Sequence, residues 1–213
     1  MACHNGHYET VKYLLDLNGK TLNSRVDATI KQTDGWSVLH TACFNGHLEV
    51  VKLLIDVGMN LNDTTTINST PLHNACMGGH YDTVKYLLDL NGKTLSSRVD
   101  TTIKTTNGWL ALHIACYKGH TEVVKLFIHV CMNLNETSNN GSTPLFLACK
   151  RGNFETVKYL LDLNGQTPNF RVDTTIKKTN GCSALHAACV NGHANILKLL
   201  IDDGMNINER DHS

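Results

Sequence analysis

The sequence has no excess of charge of either sign. Its 213 residues hold 19 Lys and Arg against 19 Asp and Glu, and charged residues are only 18% of the chain. A neutral balance gives no electrostatic footprint for nucleic acid or an anionic membrane. Long apolar runs are missing as well. Stretches such as Val50-Val51 and Leu53-Leu54-Ile55 fall far short of the ~20 residues a spanning helix needs. Met1-Ala2-Cys3-His4-Asn5 has neither the basic start nor the apolar core of a secretory signal. No phosphate-binding glycine loop, serine-nucleophile motif or paired carboxylate occurs. The 41% hydrophobic content argues against a disordered chain.

What the sequence does have is repetition. Residues 113–120 read His-Ile-Ala-Cys-Tyr-Lys-Gly-His, and copies occur at 40–47, 73–80 and 186–193. Residues 146–153 are a degraded copy, and 2–7 carry the tail of another. The leucines that precede the octets, Leu39, Leu72, Leu112, Leu145 and Leu185, alternate between spacings of 33 and 40. Residues 11–19, 84–92 and 157–165 are near-identical and lie 73 apart, so the duplicated block is a pair of units. One unit of each pair carries seven extra residues, at 18–24, 91–97 and 164–169 with part of Phe170. They read as a capped helix end and a loop, either fingers between units or tolerated insertions.

Local signals repeat with the octet. Thr70-Pro71 and Thr143-Pro144 place a capping hydroxyl before a first-turn proline. A short helix follows and ends at glycine, as at Gly78-Gly79. A second helix begins near Tyr81, with Val84, Leu87 and Leu88 forming its apolar stripe. Two helices of roughly ten residues are marginal alone, so the units must stack.

The eight cysteines resemble a disulfide framework until they are registered. Six (Cys3, Cys43, Cys76, Cys116, Cys149, Cys189) share one octet position. Equivalent positions in stacked units lie ~8–10 Å apart, beyond the ~7 Å a disulfide tolerates. They read as small buried hydrophobes in a reducing compartment. The His-x-x-Cys and Cys-x-x-x-His spacings could suit zinc, but the repeat spreads those ligands along the stack. Cysteine–histidine catalysis meets the same objection.

Residues 68–88, from Asn-Ser-Thr-Pro-Leu-His-Asn-Ala-Cys to Val-Lys-Tyr-Leu-Leu, resemble an ankyrin repeat, and so do residues 35–62. The resemblance covers essentially the whole chain. It implies an all-α solenoid of stacked helix-turn-helix units joined by β-hairpin-like turns. The expected units are a partial repeat at 1–31, then 32–64, 65–104, 105–137, 138–177 and 178–213, in one domain. It also implies that the first histidine of each octet fixes the start of the first helix, that the cysteine faces the core, and that the second histidine lies in the loop.

Departures from the family pattern carry their own expectations. Ser37-Val38 and Ser183-Ala184 keep the capping hydroxyl but lose the proline. Leu110-Ala111 loses both, so that helix should fray most easily. Phe146 and Asn153 replace the two histidines of the fifth unit, which should then lack two hydrogen bonds. Cys131 stands in place of the usual stop glycine. The last unit keeps Ile196, Leu197, Leu199, Leu200 and Ile201 without polar substitution, which suggests a segment of a longer array or covered ends.

The resemblance implies that partners bind the turn tips and the exposed ends of the first helices, on the concave face. Carried over residue by residue, this gives Asp34, Trp36, Phe44 and Asn45; Met77; Asn107, Trp109, Tyr117 and Lys118; and Asn140, Lys150 and Arg151. The tryptophans and aromatics either anchor a partner or pack on one another to shield a thin turn. The three cations hint at an acidic or mixed partner. The function expected is a non-enzymatic protein–protein interaction module, cytoplasmic, monomeric or part of a longer array, with no cofactor and no metal. The alternative is the targeting arm of a larger enzyme such as a kinase or a ubiquitin-ligase subunit. A redox or metal sensor built on the cysteine row is weaker still.

Overall fold

The computed structural model describes residues 1–17, 27–90, 98–165, 171–208 and 210. Most of the seven-residue insertions lie outside these. Eleven α-helices and no strands occur among the described residues. The chain divides into two compact units, residues 1–105 and 106–213.

The first unit holds α1 (Tyr8–Asp16), α2 (Val38–Phe44), α3 (Leu48–Asp56), α4 (Pro71–Gly78) and α5 (Tyr81–Asp89). The second holds α6 (Ala111–Lys118), α7 (Thr121–His129), α8 (Pro144–Arg151), α9 (Phe154–Asp162), α10 (Ala184–Val190) and α11 (Ala194–Asp202). Within each unit, first helices pack on first helices (α2 on α4; α6 on α8, α8 on α10) and second on second (α1 on α3, α3 on α5; α7 on α9, α9 on α11). The core is therefore built from leucines, valines and alanines that recur at one register, such as Leu39, Leu72, Leu112 and Leu145, all nearly inaccessible. Removing one such leucine side chain costs about 2–5 kcal/mol.

The caps follow the sequence. Ser37, Thr70, Thr143 and Ser183 accept from the backbone three residues on. Leu110 has no hydroxyl to offer, yet α6 is as long as α4 and α8. Its cap is half retained: Leu110 N–H donates to His113 Nδ1 at 3.2 Å.

The turns between units are hairpin-like. Gln32 N–H donates to the Trp36 carbonyl, Thr65 to Ser69, Ser138 to Ser142 and Lys178 to Cys182, at 2.8–3.1 Å. Neighbouring turns are sewn together by Thr66 N–H to the Asp34 carbonyl in the first unit. In the second, Asn139 N–H donates to Asn107 and Thr179 N–H to Asn140.

Histidine joins repeats at either end of the octet. His40 Nδ1 accepts from Ser37 N–H at 3.2 Å. That fixes the proton on Nε2, which donates to the Asp63 carbonyl at the end of its own repeat and to the Ser69 carbonyl of the next, both at 3.1 Å. His113 repeats this with Glu136 and Ser142. At the other end, His80 Nε2 donates back to the Phe44 carbonyl at 2.8 Å, and its ring lies where a Cβ on Gly46 would sit.

Two expectations need correction here. Asn153 was expected to lose a bond, but its Nδ2 donates to the Cys116 and Tyr117 carbonyls at 2.8 and 3.0 Å. A carboxamide N–H reaches the same acceptors as an imidazole N–H. Phe146 does lack imidazole bonding, and Lys178 Nζ lies 5.3 Å from its ring centroid instead. The second correction concerns the cysteine row. Cys43, Cys76, Cys116 and Cys149 are buried, but Cys3 is only half-buried and Cys189 is exposed. These two are the outermost of the six, each with a neighbouring repeat on one side at most among the described residues. All eight are free thiols.

The connecting segments carry an unforeseen clamp. Asn62 receives Asp100 N–H on Oδ1 and donates through Nδ2 to the Arg98 carbonyl. Asn135 does the same with Asp173 and Arg171. Asn164 adds a second clasp, with Val172 N–H on Oδ1 at 2.7 Å and Nδ2 on the Val172 carbonyl at 3.1 Å.

Cys131 adopts φ 56 where Gly58 and Gly204 adopt 89 and 94. A left-handed conformation costs a side chain about 1–2 kcal/mol, and glycine returns about 0.5–1 kcal/mol through unfolded-state freedom. Cys131 is exposed, so no packing is lost. Cys131→Gly should raise stability by about 0.5–1 kcal/mol in urea denaturation.

Burial lowers the pKa of His40 below its ordinary value, and the carbonyl bonds from Ser69 and Asp63 offset only part of this. The unfolded chain therefore binds the proton more readily. The stability tied to neutral His40 is complete above about pH 6.5 and is lost as pH falls toward the folded pKa. Urea midpoints should drop between pH 7.5 and 5. The drop should be shallower in His40→Phe, the residue that position 146 already uses.

Candidate protein-interaction surface

Each tryptophan is held by an aromatic two helical turns along, and Trp36 is also placed by its turn. Trp36 N–H donates to Asp34 Oδ1 at 3.1 Å, which closes the turn and sends the indole along α2. There it meets Phe44 edge-on, centroids 5.7 Å apart, and lies 6.2 Å from the His40 ring. Trp109 meets Tyr117 at 5.1 Å in a tilted pair. Such pairs contribute about 0.5–1.5 kcal/mol beyond area burial. Both tryptophans remain half-exposed, and Phe44 keeps 37% of its surface. The two sequence alternatives thus coexist: the rings pack on one another and still present apolar area.

In the second unit the pair becomes a ladder. The Arg151 guanidinium carbon lies 4.9 Å from the Tyr117 ring centroid, so Trp109, Tyr117 and Arg151 follow one another from the turn before α6 to the end of α8. Lys118 and Lys150 are exposed beside them. In the first unit an open cleft of about 440 Å³ runs along Trp36, Val38, Phe44, His4, Cys3 and Met1.

The polar candidates divide by what they already bond. Asn140 Oδ1 accepts from Ser138 Oγ, Ser142 Oγ and Ser142 N, so its acceptor is committed to its own turn. Asn45 Nδ2 donates to the Thr41 carbonyl at 2.9 Å, so it continues its helix end. Asp34 and Asn107 give their backbone carbonyls to the next turn and expose their side chains. Met77 is half-buried. The sequence did not anticipate the stacking of Arg151 on Tyr117. Its only trace was an arginine one octet position after the tyrosine's equivalent.

This pattern of paired helices, hairpin-like turns and histidine joints has a counterpart among known proteins. The family profile described as "Ankyrin repeats (3 copies)" matches residues 1–99, 90–172 and 131–211. The chain belongs to the ankyrin repeat family. Among solved structures it is similar to the human ASB11 ankyrin repeat domain, with 25% identity and a TM-score of 0.79, covering 99% of this chain and 85% of that one. No curated protein sequence matches it. Ankyrin repeats are in general non-catalytic modules that bind other proteins. No helix among the described residues is long and apolar enough to cross a membrane.

The ankyrin core also bears on the cysteine row. Burial pushes the thiols of Cys43, Cys116 and Cys149 far above their ordinary pKa, so little nucleophilic thiolate forms there. No group of three or more potential metal ligands converges among the described residues. With a disulfide reagent at neutral pH, Cys131 and Cys189 should react first. Cys43, Cys76, Cys116 and Cys149 should react only on unfolding, as counted by released thiol chromophore before and after denaturant. Rapid reaction of the buried four would revive the sensor hypothesis.

Proposed function

We propose that this ankyrin chain is a non-enzymatic interaction module that holds a protein partner on its turn tips and the exposed ends of its first helices, the concave face of the fold. The observation that carries the reading is the pair of half-exposed tryptophans, each preset by a turn carboxylate or a neighbouring ring. A ring already ordered in the free protein loses little side-chain entropy on binding, which is what an anchor requires. An interface of standard size would bury on the order of 1,600 Å². Free thiols throughout support an intracellular, reducing setting. The module acts as a monomer or as part of a longer array.

Affinity capture with mass spectrometry, run in parallel on wild type and on Trp36→Ala and Trp109→Ala, tests this. The partner recovered by wild type should fall about tenfold or more with at least one variant, the scale of a ~1.4 kcal/mol anchor. Circular dichroism should stay unchanged. Variants that unfold, or that retain full capture, would remove the tryptophans from the binding site.

A further inference from the structure

We infer that the aromatic ladder of the second unit docks an acidic segment of a partner protein. Carboxylates would reach Lys118, Lys150 and Arg151, and an apolar side chain would lie on Trp109 and Tyr117. This rests on the interaction reading above and specifies its chemistry at one place.

Charge in this unit is sorted by element. The first helices α6, α8 and α10 contain Lys118, Lys150 and Arg151 but no aspartate or glutamate. The hairpin turns at 106–109, 139–142 and 179–182 contain no carboxylate either. The acids lie on the second helices, with Glu122 on α7, Glu155 and Asp162 on α9 and Asp202 on α11, and in the segments that follow them, with Glu136, Asp173, Asp203, Glu209 and Asp211. The whole chain is neutral, so the imbalance is one of placement, not of composition.

The cations also differ in their engagement. On α7, Lys125 is paired with Glu122 at 2.6 Å. Lys118 and Lys150 are exposed and have no ion-pair partner among the described residues. The Arg151 guanidinium sits over the Tyr117 ring, its carbon 4.9 Å from the centroid. The N–H groups of a guanidinium held over a ring can still take a carboxylate in bidentate fashion. The apolar component lies beside it in half-exposed Trp109 and Tyr117. Three cations around two rings suit a short run of carboxylates flanking one apolar residue. A nucleic acid would call for a longer basic stripe and a markedly basic domain, whereas the isoelectric point here is about 7.2.

A peptide-display selection on the purified chain tests the inference. Enriched peptides would be titrated against wild type, Lys118→Glu/Lys150→Glu/Arg151→Glu, the milder Lys118→Gln/Lys150→Gln, and Trp109→Ala. A poly(dT) 20-mer would be titrated in parallel. Expected are peptides rich in Asp and Glu around an aromatic or aliphatic residue. Their affinity should fall about tenfold with the triple reversal, the scale of three exposed ion pairs, and about threefold with the double neutralisation. It should also weaken as salt rises. Neutral or basic peptides that respond to Trp109→Ala but not to charge reversal would overturn the acidic partner and keep the docking surface. Peptides indifferent to every variant, or no enrichment at all, would overturn both. Poly(dT) binding lost with the same reversal would assign the patch to nucleic acid and overturn the inference.

Discussion

The structure depends on one contact made repeatedly. A ring or carboxamide from one repeat lies on the glycine of the repeat before it and donates to a carbonyl just ahead of that glycine. His47 does this to the His4 carbonyl, His80 to Phe44, Asn153 to Cys116 and Tyr117, and His193 to Lys150. The bond satisfies a carbonyl that a helix terminus leaves unpaired. The ring's approach also forbids a side chain on the glycine, which must in any case be left-handed to end the helix. Geometry and satisfaction are thus set by the same pair of residues, and at His40 and His113 the first histidine of the octet closes the opposite joint.

This explains why the fold was legible and why parts of it were not. The glycine and histidine recur because each answers to a neighbour at fixed spacing, and register alone revealed the helix pairs, the caps and the burial of four cysteines. Asn153 was misjudged because sequence compares residue types, whereas the joint requires only an N–H at the right reach. Cys189 was misjudged for a related reason. Its register is that of a core position, but burial belongs to whatever lies against it, which the octet cannot encode. The Asn62 and Asn135 clamps leave no mark in the sequence, because an asparagine among turn residues reads as turn chemistry.

The candidate surface was legible as a set of positions but not as an arrangement. The sequence placed Trp36 with Phe44 and Trp109 with Tyr117 on spacing alone, and the rings do meet. It could not say that Arg151 crosses from α8 to cover a ring on α6, because that depends on the packing of two helices whose facing residues are leucine and alanine. The same packing spends the Asn140 acceptor within its turn, so positions equivalent by register are unequal in what they can offer.

The clasp at Asn164 has a consequence of a different kind. Asn164 and Val172 hold each other by two hydrogen bonds, while Asn135 grips Arg171 and Asp173 from the neighbouring turn. The two ends of the segment between them are therefore tied independently of what the segment contains. Closing a longer loop over ends that are already joined costs only the logarithm of its length. The place where the paired unit carries its extra residues is thus a natural graft point. A foreign sequence inserted there would be carried by the scaffold without taking part in its stacking.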